Sequence, residues 1–412
     1  MKRQLVLALA LGVAACGGDN GRFGPGTGGG ATKIGALLSL TGPGATLGQT
    51  SEAALELAAD DMNARFEAAG TSTRVTVLSE DTGLDPAQAL DGLKTLAQQG
   101  VRLVVGPQSS SEIVAIKSFA DSAGIVLFSQ GSTAGSLSLP DDNVFRLVPD
   151  DAEEGTAMVE LLKEDGIQTV VPLWREDAGN QGLHDAVERI FTDEGGTVTA
   201  GAHYPPSTTD FTATLDAIRS KVQDAVALRG SDAVAVYFAS FEESAVAIFA
   251  AANGDPVLSQ VRWYGGDGVV QSAAVLADPS AAAFAAATSF RAPTYGLDDA
   301  LLDQDASLIS SIQQQSGIAP DAFALAAYDA LHVAALAYAE VGLGSIADYR
   351  AEVLRQAADY DGATGNTALN ANGDRAVGDY DFYQVCGGGT PGWKRVSAYR
   401  SGTGQVEALD GC

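Results

Sequence analysis

The chain has 412 residues, 46% of them hydrophobic, with a formal net charge of −28. That length is too great for one small core, so two lobes or domains are expected. So acidic a surface repels nucleic acid, and no basic stripe offsets it, which excludes a nucleic-acid partner.

Lys2 and Arg3 open the chain, an apolar run covers 5–11, and Val13-Ala14-Ala15 lead to Cys16. Charged, apolar, then small residues is the pattern of a signal peptide, here residues 1–15. The run is too short to remain as a membrane-spanning helix. A cysteine directly after the small residues resembles a bacterial lipoprotein signal. The resemblance implies that Cys16 becomes the first mature residue and carries lipid on its sulfur. The plainer reading is a secretory signal with an incidental cysteine. Either way the protein is expected outside the cytoplasm, and loss of Lys2 and Arg3 takes the charge from −28 to −30. Residues 16–32 then hold the lipidated cysteine and a glycine-rich tether with too little apolar content for a core. No later stretch reads as long and apolar enough to cross a membrane, because charged and polar groups break the alanine-rich segments near Ala281 and Ala322.

With Cys16 assigned to lipid, Cys386 and Cys412 remain. Outside the cytoplasm such a pair is expected to form a disulfide. The loop of about 26 residues would stabilise the C-terminal end by about 3–4 kcal/mol in the chain-entropy model. Two thiols alone make a poor metal site.

From Lys33 onward, strand and helix patterns alternate. Residues 34–40 form an apolar run of strand length, 41–48 a Gly/Pro loop, and 49–69 a helix with Leu55, Ala59, Met62 and Phe66 on one face. A strand at 74–79, a helix at 86–99, a strand at 101–105, a helix at 109–123 and a strand at 125–128 follow. The alternation restarts beyond Pro149-Asp150. Helices are predicted at 153–165, 181–194, 211–222 and 242–253, with strands at 169–173, 197–203, 233–238 and 262–264. A long apolar helix at 321–341 and strands at 379–385 and 394–399 complete the chain. This is α/β, with two similar units, each a mostly parallel sheet, and a cleft between them.

The glycine loop Gly42-Pro43-Gly44-Ala45-Thr46-Leu47-Gly48 follows a strand as a dinucleotide loop would, but its spacing is GxGxxxG. The next acids at a strand end, Glu80 and Asp81, come almost forty residues on rather than about twenty. Ligand clefts of α/β folds lie at such strand ends in any case.

Two further strand ends carry hydroxyls. In Val105-Gly106-Pro107-Gln108-Ser109-Ser110-Ser111-Glu112, Ser109 and Glu112 fit a capping box. Capping does not explain three consecutive serines, whose hydroxyls and free N–H groups suit a carboxylate at a helix N-terminus. Ser129-Gln130-Gly131-Ser132-Thr133 ends the next strand at the same rim. In the second unit, Trp263-Tyr264-Gly265-Gly266-Asp267-Gly268 places an acid at a strand end. There it either meets a ligand cation or stabilises a glycine-rich turn. The three histidines are scattered, His332 in an alanine-rich helix where packing is the simpler role. No HExxH, GxSxG, CxxC or P-loop is present, so no catalytic site and no cofactor is expected.

Together, KIGALLSLTGPGATLG, VVGPQSSSEIVAI, GIVLFSQGSTAG, WYGGDG, YDALHVAALAYAE and NANGDRAVGDYDFYQV resemble the leucine/isoleucine/valine-binding protein family, the type I periplasmic receptors of ABC importers. The match runs from Lys33 to about Tyr399. The resemblance implies two lobes joined by three crossovers, with 33–150 plus 290–360 in lobe 1 and 151–289 plus 361–412 in lobe 2. It implies closure on a small ligand, and an ABC permease as partner. Ser110, Gly131, Ser132 and Thr133 match the positions that hold an α-carboxylate. Asp267 matches the acid that holds the α-ammonium. Phe241 and Leu47 fall where aromatics contact the ligand, and Gly179 where a cleft tyrosine is frequent. The side-chain pocket is therefore expected to be roomier and less polar than in close relatives. A ligand sensor on the same fold is the alternative job, and an exported enzyme the third.

Overall fold

The computed structural model describes residues 30–412 except Pro43 and Asp298. The expected signal segment and Cys16 lie outside the described residues.

β1 (Ala31–Leu38) starts before its apolar run because 31–33 already pair in register with the start of β2 (Arg74–Asp81). α1 (Ala45–Ala68) begins inside the expected loop. Gly48 permits this, since a Cβ there would collide with the Ser39 carbonyl at the end of β1. α2 (Pro86–Gln98), β3 (Leu103–Val105), α3 (Ser110–Ala123), β4 (Val126–Ser129) and β5 (Val144–Arg146) follow. Asp85 caps α2 through the Ala87 and Gln88 N–H groups, and the capping box of Ser109 with Glu112 opens α3. The five strands form one parallel sheet in the order β2-β1-β3-β4-β5.

The second unit runs α4 (Asp151–Glu164), β6 (Thr169–Arg175), α5 (Ala178–Asp193), β7 (Thr197–Val198), β8 (Ala202–Tyr204), α6 (Thr212–Arg229), β9 (Val234–Ala239), α7 (Glu242–Ala252), β10 (Arg262–Gly265), α8 (Ala273–Ala277), α9 (Pro279–Ala287) and β11 (Arg291–Gly296). After it come α10 (Asp299–Gln304), α11 (Ala306–Ser316), α12 (Ala322–Val341), α13 (Ile346–Asp359) and a small pair, β12 (Asp361–Gly362) with β13 (Gly365–Asn366). β14 (Asp379–Cys386), β15 (Gly392–Arg400) and β16 (Gln405–Ala408) close the chain. The second sheet has the order β16-β15-β14-β11-β10-β9-β6-β7, with β8 also on β6. It is parallel from β6 to β11 and antiparallel beyond.

Two expected lobe boundaries move. Residues 290–296 belong to the second lobe, because β11 pairs with β10 and β14. Residues 361–375 stay with the first, because the Arg146 N–H bonds the Gly373 carbonyl, Arg146 pairs with Asp374, and the Arg375 N–H bonds the Arg146 carbonyl. The three crossings therefore follow Val148, Leu297 and Arg375.

Each sheet is covered on both faces. α1, α12 and α13 pack on one side of the first sheet, with Leu55, Met62, Phe66, Ala330, Leu331 and Tyr349 buried together. α2 and α3 cover the other side. α12 corrects the sequence reading: by length and composition alone it could cross a membrane. Most of its apolar length is buried against α1 and the sheet, so it is a core helix of this fold. His332, on that helix, stacks with Tyr360 and bonds the Tyr328 carbonyl, and burial pushes its pKa down to about 4. Cys386 and Cys412 are joined by a disulfide with Cα atoms 5.4 Å apart.

Candidate functional site

The cleft lies where strand ends of both lobes face each other. From the first lobe come the β3–α3 turn, the turn after β4, Leu47 of α1 and Phe323 of α12. From the second come Gly179, Asn180 and Leu183 of α5, Phe241 after β9, and Asp267-Gly268 after β10. They enclose an empty volume of about 420 Å³, part of it open to solvent.

The first-lobe wall is a rim of hydroxyls and amides. The Ser110 hydroxyl shares a hydrogen bond with Ser132 Oγ at 3.0 Å and accepts from the Ala134 N–H at 3.2 Å. Ser129 Oγ donates to the Pro107 carbonyl at 2.7 Å and accepts from the Ser132 N–H at 2.9 Å, which ties the two turns together. Gly131 fits because a Cβ would lie 2.9 Å from the Gln108 carbonyl. Behind the rim, Arg146 Nη1 donates to the Ala134 carbonyl at 2.7 Å, and its Nε pairs with Asp374 at 2.5 Å, both side chains buried.

The second-lobe wall is acidic. Asp267 is half-buried, and its N–H donates to Glu154 Oε1 at 3.2 Å. Glu154 (1% exposed) and Asp151 (3% exposed) stand in the first turn of α4. Neither carboxylate oxygen of Asp151 completes a hydrogen bond among the described residues, nor does the buried Tyr237 hydroxyl. Burial pushes Asp151 up to about 8; the nearby Thr133 hydroxyl and the Arg146 charge oppose the shift without completing a hydrogen bond, and the Asp267 charge reinforces it. Burial also raises Asp267 to about 7, and burial with the two neighbouring charges holds Glu154 well above the ordinary carboxylate range. Such a group of acids, with no cation among the described side chains at the cleft wall, favours a positively charged guest.

Arg175 does not supply that cation. It bonds Asp177 at 3.0 Å and lies 5.1 Å from the centroid of Phe241, fixing that ring from behind. Hydrogen bonds also cross the cleft: the Ala178 N–H donates to Ser111 Oγ at 3.0 Å, and Thr46 bonds Glu242. Among the described residues one group could offer three metal ligands, His184, Asp185 and Glu188. Its two acids are exposed, and helical spacing alone brings the three together, so we assign it no metal.

Of the residues expected from sequence, Leu47, Ser110, Gly131, Thr133, Phe241 and Asp267 line the cavity. Ser132 does not; its hydroxyl sits behind the rim and braces Ser110. Sequence reasoning missed Gln108, Asn180, Leu183 and Phe323 on the wall, and Asp151 and Glu154 behind Asp267. The two acids read as an ordinary acidic first turn of a helix. Their one distinguishing signal is position, directly after the first crossing.

A family model described as periplasmic binding protein matches residues 31–390. An uncharacterized protein of Methanocaldococcus jannaschii is 30% identical over 395 residues, 91% of each chain. The Leu/Ile/Val-binding protein BraC3 of Rhizobium johnstonii is 24% identical over 353 residues, 85% of this chain and 90% of its own. The substrate-binding protein LivJ of Streptococcus pneumoniae, solved in complex with isoleucine, has a TM-score of 0.71 at 21% identity, covering 89% of this chain and all of that one. Two α/β lobes, three crossings and a family match over most of its length lead to one conclusion: the chain belongs to the periplasmic binding proteins, as a type I member of the leucine/isoleucine/valine-binding group.

Proposed function

We propose that the protein is a lipid-anchored receptor outside the cytoplasm that hands an amino acid, or a related small zwitterion, to the permease of an ABC importer. Solute binding rather than catalysis follows from the family. The observation that carries the ligand class is the opposition of Ser110, Gly131 and Thr133 on one lobe to Asp267 on the other, across a single cavity. Hydroxyls and N–H groups at the rim suit a carboxylate, with the N-terminus of α3 adding its dipole. Asp267, with Asp151 and Glu154 behind it, suits an ammonium. Leu47 and Phe241 flank the ligand's side chain. Cys16, with its glycine tether, holds the receptor at the membrane surface near its permease.

Calorimetry of the purified protein against a panel of amino acids tests the ligand class. Asp267→Ala should cost about 2–5 kcal/mol of binding by leaving an ammonium without its buried partner. Failure of every amino acid to bind removes the ligand class, and unchanged affinity in Asp267→Ala removes that residue's role. Cys16→Ser should release the protein from the membrane fraction, and its retention there would refute the anchor.

A further inference from the structure

Gln108 sits in the turn between β3 and α3, only 4% exposed, on the wall of the cavity. Its Cγ lies beside Gly131 and its Nε2 faces Gly44. Neither Oε1 nor Nε2 has a hydrogen-bond partner among the described residues. A buried primary amide with its acceptor and donors idle is costly unless something fills them. Leu47 and Phe323, which share the first-lobe wall, carry no polar side-chain group. The carboxylate rim uses Ser110, Gly131 and Thr133, and the acids lie on the other lobe. The idle amide is thus left for a part of the ligand that neither charged end occupies. Gln130 has a similarly unpaired, buried amide but does not line the cavity, and has no part in this assignment.

We infer that Gln108 reads a polar, uncharged group on the ligand's side chain, and that the preferred ligands are zwitterions carrying a carboxamide. The inference rests on the zwitterion reading above. Two primary amides set side by side exchange N–H···O=C bonds in both directions, which satisfies both Gln108 atoms. An aliphatic side chain of the same shape leaves both idle. A charged side chain finds no counter-ion beside Leu47, Phe323 and Gly131.

L-asparagine and L-leucine are close in shape and differ chiefly in polarity, so their ratio reads this contact. Calorimetry of the full chain in detergent, against these two and L-glutamine, should show one of the amides binding at least about tenfold tighter than leucine. Gln108→Leu and Gln108→Met should each cut that preference by about tenfold. Gln108→Met keeps the side-chain length if Gln108→Leu misfolds, and thermal melting checks both. A protein that prefers leucine, or an amide-to-leucine ratio unchanged in Gln108→Met, overturns the inference while amino acids still bind. If no amino acid binds, the zwitterion reading falls and this inference with it.

Discussion

Thr46, on the first lobe, donates its hydroxyl to Oε2 of Glu242, on the second, at 2.9 Å, and its N–H reaches Oε1 at 3.4 Å. α1 has no side-chain cap of its own, since Gly44 holds the N-cap position. Glu242 thus caps a helix of the opposite lobe, with its charge at the positive end of the helix dipole. Ser272, on Glu242's own lobe, donates to the same carboxylate at 2.9 Å and keeps it aimed.

Opening the cleft breaks the Thr46 bonds and leaves the Ser272 bond intact. Glu242→Ala therefore removes stabilisation that only the closed form has. A hydrogen bond to a charged group contributes about 1.5–3 kcal/mol, so affinity should fall about tenfold or more. Stopped-flow dissociation should show the loss as faster release. Equal release rates in Glu242→Ala and wild type would rule out the latch.

Asp151, Glu154 and Asp267 make the ligand-free protein sensitive to pH. Their folded pKa values lie above the ordinary carboxylate value of 3.8 for Asp, near 8 for Asp151 and near 7 for Asp267. The folded state therefore holds protons that the unfolded chain has already lost. Their contribution to stability is fully present below about pH 4 and is lost as pH rises through about 7 to 8. Melting of Asp151→Asn against wild type across this window checks the sign: the variant should lose less stability as pH rises. A cationic ligand pulls these pKa values down, so binding near pH 6–7 should release protons. Calorimetry in buffers of different ionisation enthalpy measures that number, and proton uptake would contradict the assignment.

Arg146 and Asp374 join the carboxylate rim to the third crossing. Both are buried, and Arg146 also holds the Ala134 carbonyl. Asp374→Ala leaves a buried guanidinium unpaired, which costs about 3–5 kcal/mol. Denaturant unfolding should show it as a large fall in midpoint, and a change below about 1 kcal/mol would mean that water or another group takes over.

The Cys386–Cys412 disulfide ties the last residue of β14 to the tail beyond β16. Reduction should destabilise this end by up to about 3–4 kcal/mol in the chain-entropy model, with little effect on the cleft. Hydrogen exchange with and without reductant should show faster exchange in β16 first. Free thiols in the untreated protein, seen by mass spectrometry, would show that the bond does not form.

Much of the fold was legible because long elements carry their own period. The helix at 321–341 and the strands at 169–173 and 233–238 lie within a residue or two of α12, β6 and β9. β5 was not legible: three residues hold no period. β11 was not assigned, since Pro293 and the short run Arg291–Gly296 give a weak strand signal. The predicted strand at 197–203 splits into β7 and β8, each too short to read alone. At the site, the glycines, hydroxyls and acid at strand ends are legible because such clusters mark turns, whereas Gln108 in the same turn as Ser110 carries no such mark. Asn180, Leu183 and Phe323 are not legible, since a helical residue facing a cleft looks like one facing a core.

By itself the sequence determined what depends on neighbours along the chain: the alternation of strand and helix, the caps, the hydroxyl-rich turns and the acid at Asp267. Tertiary structure decided what depends on distant partners. It put β11 in the second lobe, because its hydrogen bonds go to β10 and β14. It moved Ser132 behind the rim and left the Gln108 amide idle on the cavity wall. It also turned two ordinary helix acids, Asp151 and Glu154, into a buried group behind Asp267. Charge and polarity are written in a residue, but their cost is set by burial and by the partners that packing brings within reach.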